Sequence, residues 1–271
     1  MKDFADRVVV ITGASSGIGL ALAHEFGRRG ASIALAARNF VELEKIDAEF
    51  RQLGYQSLIS KVDVSIEADC KRFAAEVQVK FGKTDVLINN AGVSMRATFK
   101  DLDLSVMHQL MDVNFWGTVY CTKYFYDALI LARGSLVGVS SVAGFHGLPA
   151  RTGYSASKYA IHGFLETIRI ENLHNGLHVM IAAPGFTASN VRKNALTANG
   201  SAQGESPRQE GKMMTAEEVA TRIANGVARR KRQLVMDFDG KATLFLKFFA
   251  PKLLDRLFYS HMAKEPNSPF S

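Results

Sequence analysis

Cysteine is nearly absent. The 271 residues hold two, Cys70 and Cys121, far apart in segments that read as helices. So small a number argues against a disulfide framework or a metal centre and for reduced, buried or partly buried thiols in a reducing compartment. Long apolar runs are also missing, so no segment is expected to span a bilayer. The chain passes from Met1 to its first strand within about six residues, so no signal or transit peptide is expected and a cytoplasmic location is. No internal repeat, low-complexity block, metal-ligand cluster or nucleic-acid recognition motif is visible. Asp and Glu number 26 against 33 Lys and Arg, and residues 229–271 alone carry nine Lys/Arg against four Asp/Glu. The basic excess therefore belongs mostly to the C-terminal end. Its leucine and aromatic content there points away from nucleic acid as the partner.

What is present suits one large α/β domain: 47% hydrophobic and 22% charged residues on a chain long enough for a full core. Arg7–Thr12 is a continuous β-branched run, the pattern of a parallel strand buried on both faces. It leads into Gly13-Ala-Ser15-Ser16-Gly17-Ile18-Gly19 and an amphipathic helix from Leu20 to Arg29. In a strand–glycine loop–helix unit, backbone N–H groups and the helix N-terminus hold a pyrophosphate. The spacing is G-x-x-x-G-x-G. Ser32–Ala37 reads as the second strand, ending on Ala37 and Arg38 where NAD-binding units carry an acid for the ribose 2′-hydroxyl. A guanidinium there pairs with a 2′-phosphate, which favours NADP(H) over NAD; a solvated surface arginine is the alternative.

Further strands are expected at 57–62, 85–88, 135–139, 178–183 and 234–238, with helices at 41–53, 67–81, 104–132, 153–173 and 215–229. The first of these strands leads to Asp63, beside an adenine site or serving as a helix cap near Ser65. The next leads to Asn89-Asn90-Ala91-Gly92, whose amides can bond across strands and to a ribose. Asn114 falls inside the long helix, where asparagine is mildly unfavourable. It is either structural or a water bridge toward a site. The polar, glycine-containing stretch from about 190 to 214 reads as a mobile substrate lid.

The stretch Ser141–Lys158 (SVAGFHGLPARTGYSASK) organises the rest. Tyr154 and Lys158 stand at i and i+4, on one helix face. An ammonium beside a phenol favours the phenolate, which suits Tyr154 for proton exchange with a carbonyl or alcohol oxygen. Ser141 would hold that same oxygen. An apolar pocket of Val142, Phe145, Leu148, Met95 and Phe186 is expected, and with it a small hydrophobic carbonyl or alcohol substrate.

These segments resemble the compact single-domain branch of the short-chain dehydrogenase/reductases. The resemblance rests on TGASSGIG at 12–19, NNAG at 89–92, Asn114, SSVAG at 140–144, YSASK at 154–158 and PG at 184–185. The hydrophobic tail and Arg38 look like the 11β-hydroxysteroid dehydrogenase type 1 neighbourhood. The family implies a Rossmann-type doubly wound parallel sheet of about seven strands, as a single domain over residues 1–240. It also implies a homodimer or homotetramer. It casts Tyr154 as proton donor or acceptor and Ser141 as orienting group. Lys158 would bind the nicotinamide ribose, and Asn114 would hold a water linking Lys158 to solvent. The dinucleotide would lie on Gly13, Ser15, Ser16, Gly17, Ile18, Gly19, Arg38, Asp63, Asn90, Tyr154, Lys158 and Thr187. Thr187 and Ser189 stand where the family often has valine or isoleucine, and threonine. A nucleotide-sugar isomerase or lyase shares Y-x-x-x-K but usually has a larger C-terminal substrate domain. A dinucleotide-sensing protein without turnover tends to lose the tyrosine or lysine, and both are intact.

Residues 241–271 remain. Pro251 divides Lys241–Met262 into two short helical pieces carrying ten large apolar side chains and several basic ones. The favoured reading is a tail that covers the core, the substrate entrance or a dimer contact, and the alternative is peripheral contact with a membrane.

Overall fold

The apolar runs fold as strands covered on both sides, as their lack of alternation requires. A computed structural model describes residues 3–185, 187, 194–204, 213–265 and 268–270. In chain order it has β1 (Val8–Thr12), α1 (Gly17–Arg28), β2 (Ser32–Ala37), α2 (Phe40–Gln52), β3 (Ser57–Lys61), α3 (Glu67–Phe81) and β4 (Val86–Asn89). Then come α4 (Leu104–Leu110), a π turn (Met111–Trp116), α5 (Gly117–Leu131), β5 (Ser135–Val139), α6 (Thr152–Glu171) and β6 (His178–Ala183). The chain closes with α7 (Ala216–Ala228), β7 (Gln233–Val235), α8 (Phe238–Phe249) and α9 (Pro251–Ala263).

The strands form one seven-stranded parallel sheet in the order β3-β2-β1-β4-β5-β6-β7. Side chains alternate across it. Val9, Ile11, Ile33 and Leu35 pack against α1, α2 and α7, while Val8, Val10, Leu87 and Leu136 pack against α3, α5 and α6. Burying each of these side chains contributes about 1.5–3 kcal/mol. The order reverses between β1 and β4, so loops leaving their carboxyl ends splay to opposite sides and open a crevice there.

Several expectations change in detail. The helix expected over 104–132 is broken by the π turn at its middle, which carries Asn114. The strand expected at 234–238 ends at Val235, because Asp237 accepts a hydrogen bond from Gly240 N at 3.0 Å and caps α8. Pro251 does part the tail into two helices, at the first turn of the second. Cys70 and Cys121, distant in sequence, are buried neighbours with sulfurs 3.6 Å apart, both as thiols. Of the stretch expected as a lid, residues 194–204 pack on the loop after β4. Arg96 N donates to Leu196 O at 2.8 Å and Leu196 N to Ser94 O at 2.8 Å. Most of the remainder, like Phe186 and Ser189, lies outside the described residues. Among the described residues no helix is long and apolar enough to cross a membrane.

Candidate active site

A cleft of about 430 Å³ runs across the carboxyl ends of β1, β2, β4, β5 and β6. Gly13, Ser15, Ser16, Gly17, Ile18, Gly19, Arg38, Asp63, Asn90, Ser141, Tyr154, Lys158 and Thr187 all line it. Asn114 does not. It is wholly buried behind the wall.

The glycine loop is held by contacts that only glycine permits. Gly13 has φ +65°, and a Cβ on Gly19 would sit 2.2 Å from Gly13 O and 2.6 Å from Asn90 Nδ2. Asn90 spends its amide on this loop, donating to Thr12 O at 2.9 Å and Gly13 O at 3.2 Å. The reading of Asn90 as a bond across strands is what the geometry uses. Ser16 at the N-terminus of α1 makes no side-chain cap, and the first turn holds no acid. The N–H groups and dipole there suit an anion. Arg38 is exposed at the rim, with no ion pair or hydrogen bond among the described residues, next to buried Ala37. Asp63 accepts from Ser65 N at 3.0 Å and from Ser65 Oγ at 2.7 Å, so it shapes the turn while lining the cleft. Thr187 Oγ1 donates to Gly185 O at 3.1 Å. These positions fit a dinucleotide: an uncapped helix end for phosphates at one point and a cation for further negative charge at another.

At the other end, the segment just after β5 delivers Ser141, whose Oγ accepts from Ala143 N at 3.2 Å. Tyr154 and Lys158 come from the first two turns of α6. Lys158 is buried and donates to Val139 O at 2.9 Å, with Nζ 5.7 Å from the Tyr154 ring centre. Burial pulls the Lys158 ammonium down to about 8. Burial likewise holds the Tyr154 phenol above its ordinary value, opposed by a hydrogen bond with Ser141 and by the charge of Arg151. Desolvation outweighs the groups that favour the phenolate, so the net direction is up, with Lys158 Nζ near the ring and Arg151 the cation that opposes the rise.

Asn114 acts on the backbone. Its Oδ1 accepts from Val93 N at 2.8 Å, while Nδ2 donates to Val93 O at 3.0 Å and Ser157 Oγ at 2.9 Å. The π turn gives that amide its inward aim. A Cβ on Gly92 would lie 3.1 Å from Asn114 Oδ1 and 3.5 Å from Lys158 Nζ, so both groups face Gly92.

The apolar pocket is also revised. Leu148 lines the cleft, but Met95 is wholly buried beneath it and neither Val142 nor Phe145 is among its lining residues. Phe145 instead packs edge-on against His162, ring centres 4.4 Å apart. Ser94, Arg151 and Asn194 take part of the wall, making it more polar than expected. Arg151 donates to Ser94 Oγ at 2.8 Å and Met95 O at 3.2 Å. The preceding Ala150 has φ +57°, and that turn aims the guanidinium inward. Sequence reading missed Arg151, although its place three residues before Tyr154 was a usable signal. His162 Nε2 lies 2.6 Å from Ser140 Oγ, its basicity lowered to about 4 by burial first and by nearby cations second.

A family model described as short chain dehydrogenase matches residues 7–200. The chain belongs to that family. Within it, the chain is 33% identical over 272 residues to the mouse "Dehydrogenase/reductase SDR family member 7B", spanning 98% of this chain and 84% of that protein. It is 36% identical over 251 residues to the Arabidopsis thaliana "11-beta-hydroxysteroid dehydrogenase-like 4A", spanning 92% and 82%. Among solved structures, an alcohol dehydrogenase from Thermococcus sibiricus complexed with 5-hydroxy-NADP superposes with TM-score 0.73 at 26% identity, over 85% of this chain and 95% of that one. A short-chain dehydrogenase/reductase from Burkholderia phymatum in complex with NAD shares the fold, with TM-score 0.82 at 24% identity over 93% and 96%. Membership makes this a nucleotide-binding chain of an oxidoreductase family on a Rossmann-type fold.

Proposed function

We propose that the protein is an NADP(H)-dependent oxidoreductase that reduces the carbonyl of a hydrophobic substrate to a secondary alcohol. One observation carries this reading: Ser141, Tyr154 and Lys158 converge at one end of a cleft whose rim places Arg38 beside an acid-free strand end. NADPH, when bound, supplies the hydride. The Tyr154 phenol, ordinarily protonated at neutral pH and raised further by burial, is in the form that donates to a carbonyl oxygen. Ser141 holds that oxygen by its hydroxyl. Lys158 supports the tyrosinate left after donation, and Asn114 fixes the Val93 backbone behind it. The apolar body of the substrate lies toward Leu148. That residue also borders a second cavity, about 530 Å³, walled by His146, Pro149, Phe258 and Tyr259.

The test is a screen of ketones and alcohols followed by NADPH absorbance, with Arg38→Ala alongside. A charge-assisted pair contributes about 1.5–3 kcal/mol, so the variant should bind NADPH about one to two decades more weakly while NADH binding holds. Equal losses for both cofactors would sink the NADP reading. A screen in which no carbonyl compound consumes NADPH would sink the reaction.

A further inference from the structure

The tail does not bury its aromatics on the core. α8 buries only Gly240 and Thr243, and α9 only Leu254 and Met262. Phe238 is 82% exposed, Phe248 79%, Phe249 74% and Phe245 62%. Leu253 and Leu257, one turn apart on α9, are each half exposed. Yet the two helices are firmly seated from beneath. Asp237 caps α8 against Gly185, where a Cβ would meet Asp237 Oδ2 at 1.8 Å. Lys247 donates to Phe145 O at 2.5 Å and to Tyr159 Oη at 3.0 Å. On α9, Leu254 is buried and Phe258 stacks on His146 at 5.1 Å. The result is a fixed shelf with its aromatic side facing outward.

We propose that the α8–α9 face docks on the surface of an anionic lipid bilayer, lying in the interface plane. The occupant follows from charge and placement together. Lys241, Lys252 and Arg256 are exposed on the same two helices and Lys264 just past the second, against exposed Asp239 and Asp255. Phenylalanines flanked by lysine and arginine on an in-plane helix match the boundary between acyl chains and anionic headgroups. No described helix can cross the bilayer, which leaves lying on it as the geometry for these helices. The cavity bordered by Leu148, Phe258 and Tyr259 opens between this shelf and the active-site loop, so docking would set its mouth at the lipid surface.

The experiment uses the full chain. It is co-sedimented with vesicles of phosphatidylcholine plus phosphatidylserine and with phosphatidylcholine alone. Phe248→Glu with Phe249→Glu removes the apolar contact, and Lys241→Glu with Lys252→Glu reverses charge while sparing the aromatics. Each cation near an anionic surface contributes about fivefold in partitioning, so the charge variant should bind at least about tenfold more weakly. The expected result is binding that needs phosphatidylserine, weakens with salt, and is lost in the phenylalanine variant, whose melting temperature and solution mass match wild type. Three results would overturn the proposal. They are a wild-type chain that stays in the supernatant, variants that bind as wild type does, and a phenylalanine variant of smaller mass, which would make a second copy the occupant.

Discussion

The β1–α1 loop lines the active-site cleft and the α8–α9 shelf borders the cavity that adjoins it at Leu148, but they are fixed by opposite means. The loop is fixed by backbone: at Gly13 a Cβ would lie 2.8 Å from Ala91 Cα, and at Gly19 2.2 Å from Gly13 O. The shelf is fixed by a few side chains, Asp237 and Lys247 foremost, and leaves much of its apolar surface outward. Where the backbone does the fixing, a single added methyl group has no room. Where side chains do it, large changes on the outer face meet nothing.

The sharpest way to break this comparison is Gly19→Ala. The added Cβ meets a backbone oxygen that cannot yield, so stability should fall by about 3 kcal/mol, with nucleotide affinity lost as well. Thermal melting and NADPH titration check it. A variant that melts and binds as wild type would mean the loop is far looser than drawn.

A second effect of similar size comes from inside the core. His162 has a folded value of about 4 against an ordinary 6.5, so folding favours its neutral ring. As pH falls below 6.5 the unfolded chain takes up a proton that the folded chain resists. The stabilisation is therefore full above pH 6.5 and is lost between about 6.5 and 4. Its size is on the order of 3 kcal/mol. Melting curves across that window should show the loss in wild type and a flatter profile in His162→Gln.

Smaller changes sharpen the shelf side. Asp237→Ala removes the cap of α8 and should lower stability by about 1 kcal/mol, with NADPH binding little altered. Phe248→Ser touches only the outer face, and its effect on melting should stay within about 0.5 kcal/mol. A large loss from Phe248→Ser would show that something already covers that face.

This contrast also marks what the sequence could tell. The sheet was legible because strands buried on both faces leave continuous runs such as Val8–Thr12. The glycine loop was legible because its constraint is local. The Tyr154–Lys158 pair was legible from helical spacing read together with Ser141 and the glycine loop, since the spacing alone is common. The pocket was not. Met95 and Phe145 look like lining residues in sequence, but tertiary packing sends one under the cleft and the other against His162. Arg151 enters the cleft because Ala150 turns the chain at φ +57°, which an alanine does not announce; its place three residues before Tyr154 was the one hint. The tail's helices were readable from periodicity. Which way their aromatics face depends on what lies beneath them, and periodicity carries no such information.

The central claim is that Tyr154 gives the proton while other groups hold the cofactor. Tyr154→Phe tests it most directly, with turnover of the carbonyl compound found in the NADPH screen and NADPH affinity measured on the same protein. Positioned proton transfer contributes about 10²–10⁴-fold, so turnover should fall by that much while NADPH affinity stays within about twofold. A variant that keeps more than about a tenth of wild-type turnover, at unchanged NADPH affinity, would contradict the account.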